Sequence, residues 1–281
     1  MPDAGTAGPD HKAALQRLAG LDDADIDLAN AALHLAGRDR PGVSLARYRE
    51  HLAELADAVS GAFAESADSL AARRHALVDT IHGAFGYTGD RQTYDDLQNA
   101  SLMRVIDRRK GLPIALGILH IHCGRARGWD ICGLNFPGHF LIRIELAGSR
   151  MILDPFNGGA EVTVSDLRDL LKATHGADAE LAPEHYAPAG NREILIRLQN
   201  NRKIRLLKAN QVADGLAAVE DMLLFAPGEP SLWHEAGVLN AHLGNLRAAL
   251  MSFEHCHDLT DSPADRARVA GLIRDIRGRM N

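Results

Sequence analysis

RKGLPIALGILHIHCGRARGW, residues 109–129, is an apolar run bracketed by a proline and a glycine. Pro113 suits the first turn of a helix, where its missing N–H has no partner, and Gly128 suits the position just past the last turn. The middle, IALGILHIHCG, is mostly apolar, so a buried helix is expected within residues 110–128. Downstream the period changes. Residues 130–136, 139–146 and 150–153 are short, rich in Ile and Leu, and separated by Pro137-Gly138 and Ala147-Gly148-Ser149, which predicts strands with one hairpin. In the second strand Phe140, Ile142 and Ile144 alternate with His139, Leu141, Arg143 and Glu145, placing His139 on the more polar face at the strand's start. A two- or four-residue loop centred on Gly148 and Ser149 pairs odd positions with even ones. His139 and Asp154 are then expected to share a face, toward the same end of the sheet.

Working outward, apolar positions recur at helical spacing over residues 10–101, as in Leu45, Tyr48, Leu52, Leu55 and Val59, with breaks at Arg40-Pro41-Gly42 and Gly86-Tyr87-Thr88-Gly89. Residues 1–9 are expected to be disordered. After Asp154-Pro155-Phe156-Asn157-Gly158-Gly159 come a helix over residues 165–174 and a linker through Pro183 and Pro188 to Gly190. Trp233, Gly237, Gly244, Ala249, Phe253 and Pro263 then stand at spacings resembling a tetratricopeptide repeat, with a weaker copy one period upstream that ends at Pro227. The fold class expected is α+β. A domain over residues 10–190 holds a helical N-terminal section and a central helix on a small antiparallel sheet; residues 191–281 form a helical repeat pair. Two repeats are fewer than usually stand alone, so the pair is expected to lean on the first domain.

With 46% hydrophobic and 24% charged residues in 281, the chain suits an ordinary globular protein. A net charge of −6 argues against a general nucleic-acid binder. The acidity belongs to the first 190 residues, where 19 Lys and Arg face 26 Asp and Glu, against 12 and 11 in the remainder. Arg197, Arg202, Lys203, Arg205 and Lys208 form a basic run that suits a solvated helix face, with a partner-binding patch as the alternative. Three cysteines, no apolar leader and no long apolar stretch predict a cytoplasmic protein without a membrane segment or a disulfide framework.

A helix opening followed by a His-bearing and an Asp-bearing strand is the layout of a Cys-His-Asp thiol enzyme. The helix end lowers a thiol's pKa, the imidazole takes its proton, and the carboxylate fixes the imidazole tautomer. His139 and Asp154 fit the last two roles. At these residues, together with NFPGHFLIRIE (135–145), ILDPFNGG (152–159) and YDDLQNASL (94–102), the chain resembles the bacterial SirB-type proteins of the transglutaminase-like superfamily. The resemblance implies a transglutaminase-like (papain-like) core followed by tetratricopeptide repeats, and a regulatory or adaptor role. It also places the cysteine of active members at Pro113, give or take two residues. Gly111, Leu112, Pro113, Ile114 and Ala115 contain no thiol or hydroxyl, so that position is vacant.

Cys123 lies roughly 15 Å along the helix from Pro113 and is expected to be a buried hydrophobe. Cys132 is the better stand-in, although Ile131 and Leu134 beside it suggest packing. His120, His122, Cys123, Cys132, His139 and Asp154 are all acceptable zinc ligands, yet they lack paired metal-binding spacing, and neither metal nor cofactor is expected. Expected binding residues are Asn99, as an oxyanion donor, Arg109, which with Arg108 and Lys110 could hold an acidic group, and Gly138, Phe140 and Asn157. Two functions compete. One is a non-catalytic protein or peptide binder. The other is a thiol-independent hydrolase or acyl transferase with His139 as base and Asp154 orienting it, which requires His139 to be reachable by solvent. In either, His139 and Asp154 can instead be a purely structural pair.

Overall fold

A computed structural model of the chain describes residues 10–280; the expected disorder of residues 1–9 lies outside the described residues. The elements in chain order are α1 (His11–Leu18), α2 (Leu28–Arg38), α3 (Ala46–Phe63), α4 (Leu70–Val78), β1 (Thr88–Gly89), α5 (Leu102–Arg108), β2 (Lys110–Gly111) and α6 (Pro113–Ala126). They continue with β3 (Asp130–Leu134), β4 (Ile142–Leu146), β5 (Ser149–Asp154), β6 (Ala160–Glu161), α7 (Val164–His175) and β7 (Pro188–Ala189), then α8 (Asn191–Lys208), α9 (Val212–Phe225), α10 (Pro230–His242), α11 (Leu246–Leu259) and α12 (Pro263–Met280). By contacts the chain divides into two compact units, one holding residues 23–194, the other residues 11–22 and those from 195 onward.

In the first unit the helices obey the sequence signals. Asp27 caps α2 by accepting from Asn30 N–H at 3.0 Å, and Ser69 caps α4 through Ala72 N–H at 3.1 Å. The predicted stripe Tyr48, Leu52, Leu55 and Val59 is the buried face of α3. Past α4 the helix widens into a π-helical turn, Asp79–Ala84. The next stretch departs from the helical expectation: β1 pairs in parallel with β2, and residues 90–101 form a loop closed by a 3₁₀ turn at Leu97–Ala100.

The sheet is antiparallel, in the order β6-β5-β4-β3-β7. Ala147 and Gly148, both at positive φ, make the two-residue hairpin turn between β4 and β5. The loop sits one residue earlier than expected, and the odd-to-even pairing holds, Arg143 opposite Ile152. Helix α6 covers one face. At Gly117 an added Cβ would stand 2.4 Å from the Phe140 ring, and at Gly124 2.9 Å from Ile131, so these glycines bring helix and sheet into contact. Leu134, Phe136 and Leu141 on the other face pack with Leu167 and Leu171 of α7. Each such buried side chain contributes about 1.5–3 kcal/mol. Two strands are shorter than expected: β3 ends at Leu134, and β4 starts at Ile142, because Gly138 takes φ +74° and turns the chain, leaving His139 in the bend before the strand.

The second unit holds the repeat helices. Gly237 of α10 admits Phe253 of α11, with a would-be Cβ contact of 2.5 Å, and Ala249, Phe253, Cys256, Val269 and Ile276 form its core. Pro230 and Pro263 open α10 and α12. Helix α1, first in the chain, belongs to this unit, with Ala14 and Leu15 buried.

Candidate functional site

The opening of α6 is built from backbone and aliphatic carbon. Leu112 takes the N-cap position at φ −72°, ψ 159° without a side-chain cap, its N–H bonds to Asn99 O at 3.1 Å, and Pro113 comes next at N1. Gly111 to Ala115 are all buried. No nucleophile therefore stands at this helix end.

His139 and Asp154, fifteen positions apart, meet. His139 donates from Nε2 to Asp154 Oδ2 at 2.9 Å. The carboxylate side chain is 5% exposed and the imidazole 18%. Asp154 also accepts from Phe156 N–H at 2.9 Å, Asn157 N–H at 3.2 Å and the Asn157 side-chain amide. Burial pushes this carboxyl upward, but the bonds from His139 and Asn157 outweigh it and hold the pKa below the usual carboxylate value. Asn157 in turn accepts from Arg91, whose guanidinium lies 5.5 Å from the Phe156 ring centre. Arg91, Asn157, Asp154 and His139 thus form one hydrogen-bonded line. A cavity of about 300 Å³ adjoins it, lined by His82, Tyr87, Arg91, Phe156 and Asn157.

Of the other expected site residues, Asn157 and Gly138 are exposed, Asn157 in the line and Gly138 in the bend before His139, against Thr174. Three are placed elsewhere. Asn99 is fully buried; its amide donates to Thr93 O at 2.6 Å and its oxygen accepts from Arg108 at 3.0 Å, so it fastens the 90–101 loop and cannot reach an oxyanion. Arg109, at left-handed φ 58°, donates to Tyr87 and His51 and packs over the Tyr87 ring at 4.7 Å. Arg108 binds Asp90 at 2.9 Å. Burial raises the Asp90 pKa, yet bonds from Thr93, Asn99 and Arg108 bring it down to about 2. Both guanidiniums are engaged by groups of the protein itself. Phe140 is 2% exposed against Gly117 and Gly133, a core residue rather than a binding one.

Neither core cysteine substitutes for the missing thiol. Burial pushes Cys123 up to about 12, and it raises Cys132, which lies opposite Arg143 on the α7 side of the sheet, packed against the Leu134 cluster. The weighed metal ligands diverge: His122 faces Leu52 O at 3.2 Å while His120 points to His82. Among the described residues no group of three His, Cys, Asp or Glu side chains is placed to hold an ion. His82 was not a candidate from the sequence. It stands 38 positions from His120 in a stretch with helical spacing, and nothing local marks it.

A family model described as the transglutaminase-like superfamily matches residues 46–200. The chain belongs to the transglutaminase-like superfamily. A tetratricopeptide-repeat model matches residues 203–274, corresponding to the helices after the sheet. Relatives of this superfamily member span most of its length. A protein of Vibrio cholerae named UPF0162 is 30% identical over 89% of this chain and 94% of its own. Another so named, from Xylella fastidiosa, is 27% identical over 92% and 93%. Protein SirB1 of Salmonella typhimurium is 27% identical over 69% and 73%.

Proposed function

We propose that this superfamily member is a degenerate, non-catalytic transglutaminase-like protein that binds a protein or peptide, in a regulatory role. The observation that carries the reading is Pro113 at the first turn of α6, where a thiol mechanism needs its nucleophile. Without that thiol, His139 and Asp154 have no side chain there to activate. The tetratricopeptide helices support a binding role, since stacked helix pairs offer extended surfaces to partner segments. Within that unit a cleft of about 650 Å³ is lined by Glu229, Glu235, Asp261, Asp265 and Arg268. Its acidic excess favours a basic segment.

The test is capture from lysate by the full-length chain, then reconstitution with the purified partner. We expect His139→Ala to bind the partner as the wild type does, and Asp261→Lys/Asp265→Lys to bind at least tenfold more weakly. The competing reading, a thiol-independent hydrolase or acyl transferase, draws on the 18% exposure of His139, which would act as base on a water. It is the correct one if wild type cleaves or modifies a captured protein that His139→Ala merely retains.

A further inference from the structure

His82 and His120 face each other at Nε2, 3.2 Å apart, with ring centres 5.0 Å apart and planes inclined by 42°. Each ring turns its other nitrogen to a main-chain carbonyl: His82 Nδ1 to Tyr87 O at 2.8 Å, His120 Nδ1 to Leu116 O at 2.9 Å. A carbonyl oxygen only accepts, so each Nδ1 carries the ring's proton and, in the neutral rings, both Nε2 atoms are acceptors. Two lone pairs confronted at this distance call for a cation between them.

A metal ion takes the neutral rings as they are. Anchoring one ring nitrogen on a carbonyl is also how proteins orient metal-ligating histidines. A tetrahedral ion with bonds of about 2.0–2.1 Å holds two nitrogens roughly 3.3 Å apart, close to the spacing observed. The cavity of about 300 Å³ is lined by His82 and not by the fully buried His120, so further ligands would have to approach from the His82 side. His82 also lies in the π-helical turn, a distortion that often accompanies functional sites.

The geometry points to a two-histidine site, His82 Nε2 with His120 Nε2, for a divalent transition ion of the zinc class, with exogenous ligands approaching from the His82 side. Imidazole donors select zinc, cobalt, nickel or copper over magnesium and calcium. The site is independent of the partner-binding reading and of the vacant thiol position.

The test is titration of chelator-treated full-length chain with Co²⁺, then Zn²⁺, at pH 7.5, read by calorimetry and by the visible spectrum of bound cobalt. We expect one ion per chain, no response to Mg²⁺, and at least tenfold weaker binding in His82→Phe and in His120→Phe. His75→Ala serves as the surface control and should bind as wild type does. Equal binding by wild type and His82→Phe/His120→Phe, or no binding by wild type, overturns the proposal. Should the variants fail to fold by circular dichroism, imidazole ¹⁵N spectra of the wild type decide. Zinc must shift Nε2 of these two rings; unmoved signals, or a proton taken up by the pair near neutral pH in place of metal, overturn it.

Discussion

Replacing Asp154 by Asn keeps the side chain's shape and removes its charge, which isolates what the carboxylate does. In the wild type Oδ1 accepts from the N–H groups of Phe156 and Asn157, and Oδ2 accepts from His139 and from the Asn157 amide. An Asn at 154 can keep its oxygen on the two backbone donors. Its NH₂ then confronts the Asn157 NH₂, and His139 must shift its proton to Nδ1 to accept. The variant loses two charge-assisted bonds worth about 1.5–3 kcal/mol each and leaves a buried donor unmatched at about 1–3 kcal/mol, partly offset by the new bond to His139. We expect a net loss of about 3–8 kcal/mol. The assay is urea unfolding monitored by Trp129 fluorescence in a Trp233→Phe background, because Trp129 is buried against Phe63 in the first unit. The folded pKa of Asp154 is depressed, so its stabilisation is complete above the unfolded value of about 3.9 and is lost as pH falls through the folded value. The gap between wild type and Asp154→Asn should therefore be present at pH 7 and close below about pH 4. A loss under about 1 kcal/mol at pH 7, or a gap that widens in acid, refutes the role assigned to the carboxylate.

The packing sets three further outcomes. Gly117→Val drives a branched side chain into Phe140 and Ile142, and should cost about 1–3 kcal/mol in the same unfolding assay. Asn99→Ala strands the carbonyl of Thr93 and takes one of two partners from Arg108, which keeps Asp90, and should destabilise by about 1–3 kcal/mol without changing partner affinity, measured by calorimetry on the purified complex. Cys123 should resist a thiol-specific disulfide reagent at pH 8 until urea unfolds the chain, while Cys132 reacts more slowly than free cysteine.

Features that the sequence specifies locally were legible. The proline and glycine around α6 mark its ends, the alternation through Phe140, Ile142 and Ile144 marks the face toward α6, and hairpin parity brings His139 to Asp154. The absence of a nucleophile is also local, since five residues decide it. What failed depends on distant partners. Arg109 resembles an anion-binding residue until Tyr87, 22 positions away, and His51, 58 away, claim its guanidinium. Asn99 resembles an oxyanion donor until Thr93 and Arg108 close around it. The β1–β2 ladder was missed because two residues give no period to detect.

The π-helical turn Asp79–Ala84 has an evolutionary consequence. A wide turn of this kind is what one inserted residue leaves in an α-helix. Deleting one residue between Val78 and His82 would let the helix relax to regular winding: the wide turn had taken up the extra residue, so residues past Ala84 would keep their places while those inside the turn shifted around the axis. His82 would then leave His120 while the rest of the unit kept its packing. The meeting of the two rings is accordingly a matter of reading register in a single helix, gained or lost by one codon.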